Sequence, residues 1–301
     1  MIKVIIDFSQ MIYNAYFVNV QKEPTESFAF LRFLILKQIM NINTLFNPNE
    51  IILACDTRSW RKEIFPQYKA KRVKNSDITK LFEESDIFLD ELKSKFPYKV
   101  LKINRAEADD IISTLSFNKK EEDIYYIISN DKDFLQLTKY KNVSIYNPRE
   151  EEFVEFPFIK DKREFNKVED WVCEHLLRGD SGDGIPNILS DDDTFINEEK
   201  SQVRLSKNVV KKINEEGLEK QKFYNRNKNL IMLEKDIIPK EIQEEIMNKY
   251  EKINIINENN IEKIHELFEA YNMQSLFGKE KKFLLNQVKE IKKENVYDNY
   301  F

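Results

Sequence analysis

The chain has 301 residues, enough for one large globular unit or two closely packed domains, each with its own core. With 41% hydrophobic and 34% charged residues, and only 5 glycines and 8 prolines, it is neither a disordered chain nor a loop-dominated all-β design. A net charge of −5 speaks on its face against a polyanion partner, but such a sum misleads where carboxylates gather around cations, so the placement of positive charge matters more.

The opening Met1-Ile2-Lys3-Val4-Ile5-Ile6-Asp7 runs directly into a strand-like segment, without the layout of a secretory signal. The most apolar stretch, 28–40, is interrupted by Arg32, Lys37 and Gln38, so no segment suits a bilayer span. Cys55 and Cys173 are the only cysteines and lack Cys-x-x-Cys spacing, which fits a reducing compartment and a cytoplasmic protein.

In chain order, Val4-Ile5-Ile6, Ile51 to Cys55, Lys99-Val100-Leu101 and Tyr125 to Ile128 read as short buried strands. Amphipathic stretches at 9–20, 26–46, 78–96 and 107–117 separate them, and this alternation predicts an α/β fold: a parallel central sheet with helices on both faces. Val143-Ser144-Ile145 and Phe153 to Phe156 would extend one edge. After about residue 160 the strand signals stop. Trp171 to Leu177, Lys207 to Ile213, Gln221 to Leu233, Lys240 to Tyr250 and Ile261 to Tyr271 carry helical spacing, and the polar, acidic stretch Leu189 to Ser201 is expected to loop out. The reading is therefore an α/β domain over 1–165, an α-helical domain over 166–290 and a tail over 291–301.

In open parallel sheets, ligands gather outside the carboxyl ends of the strands. Here Asp7 follows the first strand, Asp56 the second, and Asp131 and Asp133 the fourth, while Glu107, Asp109 and Asp110 open the helix after the third. One aspartate in such a place is ordinary, because Asp caps the next helix well. Four such places on one sheet edge would aim all these carboxylates into one crevice, where they would repel each other unless cations neutralised them. Oxygen ligands without Cys or His select Mg²⁺ or Mn²⁺, and a pair of ions about 3.5–4 Å apart suits phosphodiester cleavage. The two histidines, His175 and His265, fall inside helical patterns and are expected to be structural. Gly179-Asp180-Ser181-Gly182-Asp183-Gly184-Ile185-Pro186 supplies two further acids in a tight turn; it could equally be a polar turn, and it lacks the spacing of an EF-hand.

Asp7, Asp56, Glu107-Ala108-Asp109-Asp110, Asp131-Lys132-Asp133-Phe134-Leu135-Gln136-Leu137 and Gly179 to Pro186 together resemble the motif series of the 5′-nuclease (flap endonuclease) superfamily, in its order and at plausible spacing. The resemblance runs from residue 1 to about 190. It implies a PIN-like core, a DNA-binding helical half and two Mg²⁺ ions, for which Mn²⁺ can substitute. By that resemblance Asp56, Asp110, Asp131 and Asp133 would form the core of the first metal site, flanked by Glu107 and Asp109. Asp133, Asp180 and Asp183 would form the second, and Asp7 would sit between shells. Residues 107 and 110 lie about one helical turn apart on a shared face while 109 points elsewhere, so Asp109 could merely supply favourable charge at a helix N-terminus.

Positive charge concentrates in Arg58, Arg61, Lys62, Lys69, Lys71, Arg72 and Lys74, with Trp60, Phe65 and Tyr68 interleaved. The mixture suits a nucleic-acid strand gripped by phosphate and stacked by base, although a solvated basic helix face would look similar. Tyr68-Lys69-Ala70-Lys71-Arg72 is similar to the family's Tyr-Lys-x-x-Arg segment. This implies that Lys69 and Arg72 act on the scissile phosphate, that Tyr68 stacks near the terminal base pair, and that residues 73–90 form a mobile arch admitting a free 5′ end.

The helical half departs from the family. In place of a Gly-x-Gly-x-Lys turn it has Asn187-Ile188-Leu189-Ser190-Asp191-Asp192-Asp193, which puts the family's potassium site in doubt and leaves duplex contact to Lys207, Lys211 and Lys212. The tail Val296-Tyr297-Asp298-Asn299-Tyr300-Phe301 looks like an aromatic and acidic sliding-clamp segment, or else a frayed terminus. The implied protein is a monomeric, replication-linked, phage-type 5′–3′ exonuclease and flap endonuclease working in a host cytoplasm. It would act on branched or nicked duplex DNA and RNA–DNA hybrids, with a single-strand-binding protein as a further partner. A PIN-like single-strand endoribonuclease and a non-catalytic DNA-binding homologue are the rivals.

Overall fold

Val4, Ile5, Ile6 and Ile51 to Ala54 are wholly inaccessible to solvent, which is what a strand covered on both faces requires. They lie in β1 (Ile2–Asp7) and β2 (Glu50–Cys55), joined by α1 (Phe8–Val20) and α2 (Phe28–Phe46). Then follow α3 (Arg61–Ile64), α4 (Ser76–Lys95), β3 (Tyr98–Lys102), α5 (Ala108–Phe117), β4 (Ile124–Ile128), a 3₁₀ segment (Lys132–Lys139), β5 (Val143–Asn147) and β6 (Glu152–Val154). This computed structural model describes residues 1–20, 28–72, 76–160, 162–253 and 260–283. The clamp-type tail 296–301 and residues 73–75 of the expected arch lie outside them.

The sheet order is β3-β2-β1-β4-β5-β6, parallel except for the antiparallel edge strand β6. The chain moves outward from β1 to β3, then crosses back to place β4 on the other side of β1. That reversal opens a crevice between the carboxyl ends of β1 and β4. Strand residues alternate between two cores. Val4, Ile6, Ile51 and Leu53 face α1, α2 and α4, whereas Ile5, Ile52 and Ala54 face α5.

Three expectations are corrected. Strands continue past residue 160 as the hairpin β7 (Phe158–Lys160) and β8 (Arg163–Phe165). Residues 76–90 belong to α4, which buries Leu81, Phe88 and Leu89 in the core, so this part of the expected arch is a packed helix. The helical half also is not one separate body. After α6 (Val168–Arg178), α7 (Lys207–Glu216) and α8 (Tyr224–Ile231), helix α9 (Lys240–Lys252) packs Ile242, Ile246 and Tyr250 into the core that contains Ile5. Helix α10 (Asn260–Ala270) adds Ile264, Leu267 and Phe268 to the opposite core.

The acidic loop 187–201 is pinned rather than loose. Arg226 donates to the backbone oxygens of Pro186, Asn187 and Ser190 and to Asp192, while Lys200 pairs with Asp193 at 2.7 Å and lies 3.6 Å from Asp191. No helix among the described residues is long and apolar enough to cross a membrane.

Candidate active site

Ser9 and Gln10 explain how three strand ends are drawn together. Ser9 Oγ accepts from the Asp56 backbone N–H at 2.9 Å, and Gln10 Oε1 accepts from Ser129 Oγ and the Asn130 N–H at 2.8 Å each. The ends of β2 and β4 are thereby stapled to the start of α1, directly after Asp7. Helix α5 adds its N-terminus, because Asp56 Oδ1 accepts the Ala108 N–H at 2.7 Å.

The fourth side of the crevice comes from the glycine-rich turn after α6. Asp180 and Ile185 exchange backbone hydrogen bonds of 2.9 and 2.7 Å, and Asp180 Oδ1 accepts from the Gly182 N–H at 2.7 Å. Gly179 has φ +68°, and a Cβ there would lie 2.3 Å from the Ile185 carbonyl oxygen, so only glycine allows this closure. Gly184, at φ +74°, lets the turn approach the basic segment, where the Lys69 N–H donates to the Asp183 carbonyl at 2.8 Å.

The result is a cleft of about 750 Å³ bounded by Asp7, Asp56, Asp109, Asp131, Asp133, Asp180 and Asp183, with Lys69 and Arg72 at its rim. Tyr13 and Phe17 of α1 also line it; the sequence reading had assigned them no role beyond an amphipathic helix. The acids strain against one another. Burial, together with the charges of Asp56 and Asp131, pushes the Asp7 carboxyl up to about 8. Burial and the neighbouring Asp133 push Asp131 up to about 7. Burial and Asp131 lift Asp109 well above the usual carboxylate range, and crowding by the cleft walls raises Asp56 although it opens to solvent. Such a cluster gains most from a divalent cation, and an oxygen-rich donor set suits Mg²⁺ or Mn²⁺.

The structure reverses the expected order of the acids on α5. Residues 107 and 110 do share a face, but it looks away from the cleft. Asp110 is fully buried and accepts from Trp60 Nε1 (3.2 Å), Arg61 Nη1 (3.1 Å) and the Glu107 N–H (2.9 Å), which leaves it no open coordination site toward the crevice. Asp109, the one read as pointing elsewhere, lines the crevice.

Glu107 is likewise drawn into a buried lock. It accepts from Ser59, Arg61 and Tyr68, and it pairs with the Lys69 ammonium. Burial alone would raise its carboxyl, but Lys69 and Arg61 hold it down to about 2.

The basic and aromatic run is corrected in the same way. Trp60, Phe65 and Tyr68 are at most 5% exposed and Arg61 is 1% exposed, so none can stack on a base. Phe65 and Tyr68 pack with Leu176, Ile185 and Leu230, and the Tyr68 hydroxyl lies 3.0 Å from both Glu107 and Asp183. Lys69 reaches Asp183 at 3.5 Å, Arg72 donates to Asp183 at 2.7 Å, and exposed Lys71 lies over the Phe195 ring. On α7, Lys207 and Lys211 line a separate groove of about 470 Å³ with Arg178. Lys212 is not among its lining residues; it lies 3.6 Å from Glu216, as Lys211 lies 3.7 Å from Glu215.

His175, expected to be structural, joins Tyr13 and Phe17 as a residue beside the crevice to which the sequence assigns no site role. It stands in the last turn of α6 with Nδ1 3.1 Å from Asp133 Oδ1, in a side lobe of the cleft shared with Asp131 and Asp180. Its position four residues before the Gly179 turn was the available signal. His265 lies far along the chain on α10, against Glu269 and Glu280.

Residues 3–168 match the family described as 5′-3′ exonuclease, N-terminal resolvase-like domain. The chain is 30% identical over 267 residues to the ribonuclease H of Enterobacteria phage T4, covering 82% of this chain and 85% of that protein. In architecture it is similar to the phage T5 5′-exonuclease with bound zinc, at TM-score 0.59 and 16% identity over 84% of this chain and 99% of that one. It is also similar to the phage T5 flap endonuclease in complex with DNA and metal ions, at TM-score 0.55 and 17% identity, covering 84% of this chain and 100% of that one. With more than half of its length matched by the family model and a relative of this identity aligned over most of both chains, the chain belongs to the 5′–3′ exonuclease family.

Proposed function

We propose that this chain is a divalent-metal-dependent 5′–3′ exonuclease and flap endonuclease, hydrolysing phosphodiester bonds at or near the 5′ ends of DNA and RNA–DNA hybrids. The observation that carries the reading is the crevice at the β1/β4 reversal, where seven aspartates from three strand ends, one helix mouth and one glycine-rich turn converge. Asp7, Asp56, Asp109, Asp131, Asp133, Asp180 and Asp183 would hold two Mg²⁺ ions; Glu107 and Asp110 act behind them, fixing Lys69 and Arg61. Bound cations would neutralise the acids, polarise the scissile phosphate and activate water for attack on it. No side-chain nucleophile or covalent intermediate is required.

The protein's own groups position the substrate. Arg72, with a side chain 57% exposed, can exchange Asp183 for a phosphate oxygen, and Lys69 presents a buried positive charge beside the same point. Tyr13 and Phe17 offer rings along the crevice wall for unpaired bases, a role the buried Tyr68 cannot take. Lys207 and Lys211 would hold duplex phosphates, and residues 296–301 would engage a sliding clamp.

The rival endoribonuclease reading is disfavoured because the match to the T4 ribonuclease H runs over 82% of the chain, well beyond an α/β core alone. The test is cleavage of a 5′-labelled flap DNA and of an RNA-primed duplex, with and without Mg²⁺. The reading requires Mg²⁺-dependent release of short products from the 5′ side. Cleavage confined to single-stranded RNA, or binding without cleavage, would establish one of the rivals.

A further inference from the structure

The acids of the crevice have a nitrogen neighbour that an all-carboxylate site does not need. One ring nitrogen of His175 and one oxygen each of Asp133 and Asp180 lie within 4.8 Å of one another, close enough to share a single ion. The His175 side chain is 12% exposed, and its Nδ1 is shut off from solvent, 3.1 Å from Asp133 Oδ1 but off the line of a regular hydrogen bond. A buried imidazole nitrogen 3.1 Å from one carboxylate, with an oxygen of a second within 4.8 Å and no well-formed hydrogen bond to either, is poorly used as a structural group.

The ring is also held in place. The Trp171 ring packs against it at 4.9 Å, one helical turn earlier on α6, and Gly179 ends the helix so that Asp180 folds back beside it. A lobe of about 420 Å³, lined by Asp131, Asp133, His175 and Asp180, gives an ion and its waters room to enter.

We propose that His175 is a direct ligand of a divalent cation shared with Asp133 and Asp180, which makes one of the crevice's cation sites a mixed nitrogen and oxygen site. This rests on the metal-dependent reading above and adds a consequence to it. Mg²⁺ prefers oxygen donors and retains its waters, whereas imidazole suits later divalent ions, so this site discriminates for Mn²⁺ over Mg²⁺ more strongly than carboxylates alone would.

The test is pulsed EPR of the full chain loaded with Mn²⁺, which detects ¹⁴N bound directly to the ion. The expected result is a ¹⁴N coupling in the unmodified protein that is lost in His175→Gln. In that variant the affinity of one Mn²⁺ should fall about 10–100-fold or more, since the loss of groups that merely orient ligands costs that much. Mg²⁺ affinity should fall less, so that the Mn²⁺ to Mg²⁺ preference narrows. Thermal unfolding of the metal-free variant checks that the fold is retained.

Bound Mn²⁺ without ¹⁴N coupling, or a coupling that survives in His175→Gln, overturns the assignment. Cleavage by the unmodified protein in Mg²⁺ keeps the two readings apart. Cleavage without ¹⁴N coupling sinks only the His175 ligand, whereas ¹⁴N coupling without cleavage leaves the site standing and sinks the nuclease reading.

Discussion

Asp109 and Asp110 are adjacent in sequence, yet the structure gives them opposite consequences on mutation. Asp110 is fully buried against Arg61, which is itself 1% exposed, and Asp110→Asn would leave that guanidinium with Glu107 at 3.3 Å as its remaining carboxylate partner. Breaking a buried ion pair costs about 3–5 kcal/mol, and because Glu107 stays and Asn still accepts from Trp60, the lower end, about 3 kcal/mol, applies. For a protein of this size that corresponds to a fall in Tm of roughly 5 °C, taken from a total stability of roughly 5–15 kcal/mol. Asp109→Asn does the reverse: it removes a carboxylate that burial and Asp131 hold well above its usual range, so the metal-free protein becomes more stable. It should also lower cation affinity by at least about 10–100-fold. Urea unfolding of the metal-free proteins, Mn²⁺ binding by EPR and single-turnover cleavage where all variants are folded would measure the three effects. If Asp110→Asn kept the parental midpoint while losing Mn²⁺, and Asp109→Asn bound Mn²⁺ normally, the assignment of the two faces of α5 would be refuted.

Other perturbations read different parts of the molecule. Asp7 and Asp131 have carboxyls raised to about 8 and about 7, so in the metal-free fold their contribution is fully present below the unfolded value near 4 and is lost as pH rises toward 8. The Tm gained on adding Mg²⁺ should therefore grow between about pH 5 and 8, and a pH-independent gain by calorimetry would contradict this. Asp131→Asn should abolish cleavage while leaving DNA affinity, measured in a gel-shift assay, nearly unchanged; retained turnover would remove Asp131 from the site. Replacing Lys207 and Lys211 together by Ala should weaken duplex binding and reduce its salt slope by about 1–2, whereas Lys212→Ala should change neither. Arg226→Ala removes the cation that ties the Pro186, Asn187 and Ser190 carbonyls, and it should cost on the order of 2–4 kcal/mol and open residues 187–201 to proteolysis. An unchanged digestion pattern would show that the loop holds itself.

Much of the fold was legible because burial on both faces leaves continuous apolar strands, as in Val4-Ile5-Ile6 and Ile51 to Ala54, and because helical spacing marks every long helix. What periodicity cannot carry is destination. Helix α9 has the same amphipathic pattern whether its apolar face meets other helices or the sheet, so nothing in Ile242, Ile246 and Tyr250 announced that they complete the core around Ile5. The acidic loop misled for a related reason. Three consecutive aspartates look repulsive until Lys200 of the same loop folds back on them and Lys222 and Arg226, distant in sequence, are brought against them.

The crevice was legible as a set of strand-end acids but not in the orientation of its members. Spacing put Glu107 and Asp110 on one face of α5, and they are on one face; spacing could not say that Arg61 and Trp60 occupy that side. Once Arg61 is buried there, it requires carboxylate partners, and it takes Glu107 and Asp110 from the pool of possible metal ligands. The same event draws Tyr68 and Lys69 inward, since both bond to Glu107, and so turns a segment that read as a base-stacking surface into the inner wall of the crevice. Asp109 is left as the acid of α5 that lines the crevice. The division of labour in the triplet is therefore decided by one buried arginine, and the behaviour of Arg61→Met distinguishes that account from a purely helical one. Loss of Arg61 should leave Glu107 and Asp110 buried without their shared guanidinium, lower the urea midpoint of the metal-free protein, and leave the Mn²⁺ affinity read by EPR little disturbed; an unchanged midpoint with lost Mn²⁺ would refute the account.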